Sequence, residues 1–140
     1  MISSRPSPKE KIGQELGPQV ARIEADRLRD FNLSIGSTGS GVPPTYLTVF
    51  RRLELEWVAK LGFQLSQILH AEQEYRFHES LRVGQEMLYR TTLANALEKK
   101  GKALTATFLV FETRFCAQED PSREIAFSKT TLVARESHDA

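Results

Sequence analysis

The sequence predicts an α+β domain in which an antiparallel sheet curls around one central helix. Residues 43–62, PPTYLTVFRRLELEWVAKLG, carry apolar side chains at helical spacing. From about residue 69 to the C-terminus, the pattern changes to long alternating strands separated by polar turns. A single apolar-striped helix followed by a run of strands is most simply buried when the sheet wraps around the helix.

The central helix is predicted over residues 43–62. Pro44 suits its first turn, because proline lacks an amide hydrogen that this turn leaves unpaired, and Gly62 is typical of a helix end. The apolar stripe expected to face the sheet consists of Tyr46, Val49, Phe50, Leu53, Trp57 and Leu61. The opposite, solvent-facing side is predicted to hold Arg51, Arg52, Glu54 and Lys60.

The N-terminal third is predicted to contribute little regular structure. Residues 1–11 are rich in Ser, Pro and Lys and are expected to form a flexible lead-in. One domain is expected over residues 12–136, with 137–140 as a C-terminal tail. Within it, residues 15–23 contain Pro18 and favour at most an edge strand. A short helix is predicted over 24–35, followed by the flexible connector STGSG.

Four strands are predicted after the helix, over residues 69–78, 86–97, 104–116 and 125–134. In the first strand, strict alternation would place Ala71, Gln73, Tyr75 and Phe77 on one face, opposite His70, Glu72, Glu74, Arg76 and His78. The third strand is apolar on both faces, which predicts that both are covered.

Element lengths refine this fold class. Strands of about 12 residues span roughly 40 Å at about 3.4 Å per residue. A helix of about 17 residues spans roughly 25 Å. Twisted strands of that length can curl past both ends of the helix. This geometry is the hot-dog fold, which we predict, although periodicity alone supports only an α+β domain with an antiparallel sheet.

Composition narrows the possible partners. The chain has 140 residues and a net charge of +1, so neither nucleic acid nor a membrane surface is an expected partner. Cys116 is the only cysteine in the sequence, so a disulfide framework and a thiolate metal site are excluded. Its side chain is expected to be small and buried. The N-terminus has no apolar segment of the signal-peptide type, so a cytoplasmic location is predicted.

Three segments in register resemble the N-terminal-type hot-dog domain of the MaoC-like acyl dehydratases. They are VPPTYL at 42–47, LHAEQEYRFHESLRVGQEM at 69–87 and EKKGKALTATFLVFET at 98–113. The resemblance covers about residues 12–135. Ala71 stands where the family has Gly, and Ser80 where it has Pro.

The resemblance implies interconversion of a trans-2-enoyl thioester with an (R)-3-hydroxyacyl thioester, without a cofactor or a metal. Active halves of such enzymes carry an Asp-x-Asn-Pro-x-His motif on the loop entering the central helix. Here that loop is STGSG, and the histidines are His70, His78 and His138. The resemblance therefore implies a non-catalytic, substrate-shaping subunit. Its expected partners are an acyl-CoA or acyl-carrier-protein thioester and a catalytic hot-dog subunit, or itself as a dimer.

Candidate substrate-binding residues lie mostly on the central helix. Tyr46, Phe50 and Trp57 could line an acyl tunnel, although core packing is the more common explanation of such a stripe. Arg51 and Arg52, with the basic turn of Lys99, Lys100 and Lys102, could bind coenzyme A phosphates or an acidic carrier protein. A solvated surface is the alternative for these cations.

The fallback catalytic pair is His70 with Glu72, because a histidine beside a carboxylate can act as acid and base. It would make the chain a homodimeric hot-dog thioesterase or hydratase. A period-2 row on a strand does not form a tetrahedral cage, so no metal site is predicted. A non-enzymatic acyl-thioester-binding module is a further alternative.

Overall fold

A five-stranded antiparallel sheet forms most of the molecule. The computed structural model describes residues 7–37, 39 and 41–137. The strands are β1 (Glu15–Arg22), β2 (Ile68–Phe77), β3 (Glu86–Lys100), β4 (Leu104–Ala117) and β5 (Glu124–Ser137). Their order is β1-β3-β4-β5-β2, so β1 and β2 are the two edges.

Among the described residues, two α-helices, α1 (Ala25–Ser34) and α2 (Arg52–Lys60), accompany three short 3-10 helices, Pro8–Lys11, Pro44–Val49 and Leu65–Gln67. The first 3-10 helix falls within the predicted lead-in. The predicted α+β hot-dog fold is confirmed, as are the short helix near residue 30 and an N-terminal edge strand. None of the helices among the described residues is long and apolar enough to cross a membrane.

The long strands β3, β4 and β5 bury alternate side chains, as their period predicts. One cluster of the core centres on Tyr46, Phe50, Leu53, Tyr89 and Phe115. A second cluster centres on Trp57, Leu61, Leu93, Phe111 and Leu132. Together they fill the space between the inner face of the sheet and the segment 44–60.

The outer face of β4 is less covered than the sequence predicts. Phe108 and Val110 lie there and stay partly exposed in this chain, while Leu109 and Phe111 on the inner face are fully buried. The ammonium group of Lys99 lies 5.3 Å from the centre of the Phe108 ring. The prediction that both faces of β4 are covered is therefore wrong for the described part of this single chain.

The predicted single central helix is also wrong, because it is broken at Phe50. The 3-10 helix Pro44–Val49 ends there, where Phe50 has φ −96° and ψ 67°, and α2 then runs for nine residues. The segment around Phe50 is rich in β-branched and aromatic residues, which have a low helix propensity, so tertiary packing decides its conformation. The break lets the Phe50 ring lie 6.0 Å from those of both Tyr46 and Phe115.

A β-bulge at Ala71 changes which side chains of β2 share a face. His70 pairs with Leu132, and Glu72 pairs with the adjacent Thr131, which leaves Ala71 as the extra residue. Because side chains alternate along a strand, one extra residue puts the side chains that precede it on the opposite face of the sheet from the one that strict alternation predicts. His70 therefore lies on the inner face with Gln73, and the prediction that His70 and Glu72 share a face is wrong.

Candidate functional site

A cavity of about 170 Å³ lies where the segment 47–54 meets the β2–β5 edge of the sheet. We call it the edge cavity. It is lined by Leu47, Thr48, Phe50, Arg51, Glu54, His70, Gln73, Tyr75, Ser128 and Thr130. Of the predicted site residues, it brings together Phe50, Arg51 and His70.

The carboxyl group of Glu54 is buried beside this cavity, with 6% of the residue exposed. The Thr130 hydroxyl donates a hydrogen bond of 2.7 Å to Glu54 Oε2, and Arg51 Nε lies 3.9 Å from Oε1. Burial raises the pKa of Glu54 above its ordinary value, while the Thr130 hydrogen bond and the charges of Arg51 and His70 lower it. Burial is the largest of these effects, so the environment favours the neutral carboxyl group.

Gln73 joins His70 to the same network. The Gln73 side-chain Nε2 donates to the Lys129 carbonyl at 3.3 Å, which turns Gln73 Oε1 toward His70 and Thr130. His70 Nε2 lies 2.9 Å from that oxygen, which can only accept. His70 Nε2 therefore carries its hydrogen and donates to Gln73, which commits this nitrogen to a structural hydrogen bond.

Tyr75 is another residue that lines the cavity. Its Oη is buried and makes no hydrogen bond of acceptable geometry. Thr48 lies close enough to lower the pKa of Tyr75, and because the Thr48 hydroxyl donates its hydrogen to the Thr45 carbonyl at 2.7 Å, its oxygen faces Tyr75 as an acceptor. Burial, followed by the charge of Glu54, raises the pKa of Tyr75 to about 12. Tyr75 therefore stays protonated at neutral pH, with its hydroxyl group shielded from solvent.

Other predicted substrate-binding residues lie in the core or on the surface. Tyr46 is fully buried, with its ring edge-on to Phe31 at 5.3 Å. Trp57 is 1% exposed and donates from Nε1 to the Thr91 carbonyl at 2.9 Å. Arg52 is exposed at the start of α2 and does not line the edge cavity. Tyr46 and Trp57 thus stabilise the fold, which was the alternative explanation of the stripe.

Glu72 lies on the outer face of the sheet, in a groove with Glu74 and Lys129. The bulge at Ala71 separates it from His70, so the fallback catalytic pair does not form. His78 instead pairs with Glu124 at the surface, at 2.7 Å. The remaining histidine, His138, lies outside the described residues.

Six polar residues of the cavity escaped the sequence-based selection: Thr48, Glu54, Gln73, Tyr75, Ser128 and Thr130. Only Glu54 carried a usable signal. It follows Phe50 by four residues and precedes Trp57 by three, so it falls on the apolar stripe rather than opposite it. An acidic residue at a core position of a helix indicates a functional or specially paired carboxyl group.

The loop that enters the helical segment contains no acid–base pair. Its sequence, residues 37–41, consists of Ser, Thr and Gly. Positions 38 and 40 lie outside the described residues. Asn32 Nδ2 donates to the carbonyls of Gly39 at 3.3 Å and Gly41 at 3.1 Å, which ties the loop to α1. Within the described ranges, no group of His, Cys, Asp and Glu side chains could hold a metal ion.

Sequence comparison identifies the family. The profile described as "FAS1-like, dehydratase domain region" matches residues 10–122, which is most of the chain. The chain belongs to this dehydratase family. The resemblance to the MaoC-like dehydratases is thereby confirmed at the level of the family. Comparison with curated proteins gives no match.

Solved structures share the hot-dog fold of this dehydratase-family chain. A chain of the truncated HadBC complex, a 3R-hydroxyacyl-ACP dehydratase of Mycobacterium tuberculosis, aligns with a TM-score of 0.73 and 15% identity. That alignment covers 89% of this chain and 97% of the other. A chain of the ChsH1-ChsH2 complex, also from Mycobacterium tuberculosis, aligns with a TM-score of 0.66 and 13% identity, and the alignment covers 94% of this chain and 90% of the other. A longer MaoC-like dehydratase aligns with a TM-score of 0.69 and 13% identity, and the alignment covers 91% of this chain but 43% of that longer chain.

Proposed function

We propose that this chain is the non-catalytic, substrate-shaping subunit of an (R)-specific enoyl-thioester hydratase or 3-hydroxyacyl-thioester dehydratase. One observation carries the proposal. The loop at 37–41, where the family resemblance places the acid and the base, holds only Ser, Thr and Gly in a chain of the dehydratase family. The substrate would be an acyl-CoA or acyl-carrier-protein thioester.

A catalytic hot-dog subunit is the partner that this function requires. Two of the similar structures, HadBC and ChsH1-ChsH2, are complexes of two named components, which supports a heteromeric assembly. Strand β2 is an edge of the sheet, so one row of its backbone groups is available to pair with another strand. The edge cavity borders that strand and would therefore lie next to the partner.

The chemistry of the edge cavity fits binding better than turnover. His70 Nε2 is committed to Gln73, and Glu54 is engaged by Thr130. Hydration needs an acid and a base that flank one water molecule. Both groups are instead held by neighbouring side chains, which suits a wall that shapes a bound ligand.

The test measures enoyl-thioester hydration, followed as loss of the conjugated absorbance. General acid–base groups contribute about 10²–10⁴-fold each, so the chain alone should be nearly inactive. Adding a hot-dog partner with an intact Asp-x-Asn-Pro-x-His loop should restore activity. In that complex, His70→Ala should raise KM more than it lowers kcat. Robust turnover by the purified chain would overturn the proposal.

One observation favours a second candidate, a homodimer with its own hydratase or thioesterase activity. A buried carboxyl group with a raised pKa beside a histidine in one cavity is a recognised mark of a reactive site, and here Glu54 takes the place predicted for Glu72. Activity of the chain alone that is abolished by Glu54→Gln, but retained in Glu72→Gln, would establish this candidate. Binding of a thioester without turnover in any assembly would instead indicate a non-enzymatic module.

A further inference from the structure

The outer face of the sheet carries a continuous row of apolar side chains. It consists of directly paired residues on β2, β5, β4 and β3, which are, in that order, Leu69, Val133, Phe108 and Leu97. Residues directly opposite in antiparallel strands place their side chains on the same face. Leu69 and Leu97 are each 48% exposed, and the other two are half-buried. These four residues, here called the outer row, form the kind of exposed apolar patch that marks an interaction surface.

The two sides of the outer row carry opposite charge. One step of about 7 Å along the strands leads to Glu72 on β2 and Val110 on β4. One step of about 7 Å in the other direction leads to Lys99 on β3, Ala106 on β4 and Arg135 on β5. The three charged side chains are exposed. Beyond Glu72, the next line of this face is net negative and consists of Glu74, Lys129 and Glu112.

This arrangement is self-complementary under a two-fold rotation. When the axis runs along the outer row, between two facing sheets, the row of one copy packs on the row of the other. The same rotation places Glu72 of each copy over the side of the other copy that holds Lys99 and Arg135. Each favourable contact then occurs twice, as in any isologous interface. A partner of uniform charge would face like charge on one side of the row, so a second copy is the better fit.

The dimensions of the outer face suit sheet-on-sheet packing. Facing sheets lie about 10 Å apart and interdigitate their side chains. A groove of about 490 Å³ on this face, between Glu72 and Lys99, provides room for the facing side chains. The outward positions of β5 from Phe127 to Arg135 span roughly 27 Å, and four strands span roughly 19 Å. About 1,000 Å² would be buried in total, the lower end for a specific interface, so the association is expected to be weak and reversible.

We propose that the outer face is an interface between two copies of this chain, which pack back to back about a two-fold axis along the outer row. The edge of β2 stays open in this arrangement, so the outer face can join two assemblies that have formed at that edge. The interface goes beyond the proposed function and does not depend on it. Absence of hydration in every assembly would refute the proposed function and leave the interface standing.

The first experiment follows the mass of the whole chain by analytical ultracentrifugation. The species present at low micromolar concentration should double its mass reversibly by about 500 µM, as a weak interface does. Leu97→Gln should weaken that step at least about tenfold, because it removes apolar area from the outer row. Leu33→Gln is the matched control, since Leu33 is 68% exposed and lies on α1. No doubling, or equal effects of the two substitutions, overturns the interface.

Charge reversal tests the orientation of the two copies. Glu72→Lys should weaken the doubling at least about tenfold, because the new cation faces Arg135 of the second copy. Adding Arg135→Glu should restore it. The two Cα atoms lie about 14 Å apart within one chain, so a rescue reports a contact between copies. Both side chains are exposed, and circular dichroism verifies that the variants are folded. A double variant that associates no better than Glu72→Lys overturns the proposed arrangement.

Cross-linking provides a readout that does not depend on charge or on a loss of affinity. On the proposed axis, Leu97 faces its own counterpart in the second copy. In a Cys116→Ser background, Leu97→Cys should therefore be joined into a covalent dimer by a short bismaleimide. Leu33→Cys, at a more exposed position, should stay unlinked under the same conditions. Linking of both variants, or of neither, overturns the interface.

Discussion

At the scale of single residues, burial of Glu54 makes the stability of the fold depend on pH. Its carboxyl group is 6% exposed, and burial raises its pKa in the folded chain. A group with a raised folded pKa contributes stability below its unfolded pKa, which is about 4.3. That contribution is lost as the pH rises through the folded pKa. Ionisation of Glu54 therefore lowers the stability of the folded chain.

We expect Glu54→Gln to be more stable than the native chain at pH 8, with the difference shrinking as the pH falls toward 4. Glutamine keeps the shape and the acceptor for Thr130 but has no charge to bury. Urea denaturation across that pH range measures the effect. Glu56→Gln, an exposed position on the same helix, is the control. A pH profile of Glu54→Gln identical to the native one would contradict this account.

A second residue-scale prediction concerns Trp57. Its side chain is 1% exposed and packs near Phe111, with ring centres 6.3 Å apart. Trp57→Ala should lower the free energy of unfolding by about 3–5 kcal/mol, as the loss of large buried aromatic side chains does. Trp57→Phe should cost less, because it loses mainly the hydrogen bond to Thr91. Denaturant unfolding checks both, and a native fluorescence spectrum typical of solvated tryptophan would refute the burial.

At the scale of elements, the edge strand β1 depends on the close approach of its backbone to β3. Gly17 has φ +111°, and a Cβ there would lie 2.9 Å from the Tyr89 carbonyl oxygen and 3.0 Å from Leu53 Cδ1. Gly13 also has a positive φ, of +92°, but nothing lies within 4 Å of a Cβ at that position. Comparing an alanine substitution at each of the two glycines therefore separates the cost of backbone strain from the cost of steric crowding.

Gly13→Ala should cost about 1–2 kcal/mol, the usual penalty for a side chain in the left-handed region. Gly17→Ala should cost about 1–3 kcal/mol more, because overpacking is added to the same strain. Equilibrium denaturation of the two variants gives the difference directly. Equal losses of stability would show that β1 moves away from β3 at no measurable cost.

At the scale of the whole molecule, the sheet has two open edges and a partly apolar outer face. The edge β2 offers unpaired backbone groups, and Leu69 and Leu97 on the outer face are each 48% exposed. Exposed strand edges commonly pair with another subunit. Association would therefore complete the sheet next to the edge cavity.

We predict that the chain does not remain a monomer at micromolar concentration. It should form a homodimer alone, or a heterodimer when a catalytic hot-dog subunit is present. Light scattering coupled to size-exclusion chromatography measures the mass in each case. A monodisperse mass near the 15.9 kDa of one chain, unchanged by any such subunit, would refute the prediction.

The sequence by itself determined the order of the elements, the apolar character of both faces of β4, and the lack of an acid–base pair at 37–41. These features depend on local periodicity and composition, which are readable without coordinates. The turn was predicted at 98–102, and the structure places it at 101–103, because β3 extends to Lys100. Its glycine and the proline of β1 still indicated a turn here and an edge strand there. The family resemblance also rests on short segments in order.

Only the tertiary structure decided how the edge cavity is built. The bulge at Ala71 depends on the register of β2 against Leu132 and Thr131, which lie about 60 residues further along the chain. The break at Phe50 depends on its packing against Phe115. Both bring Glu54, His70 and Tyr75 around one cavity. Strand alternation and helix period describe the chain locally, so neither can place residues whose positions are set by distant partners.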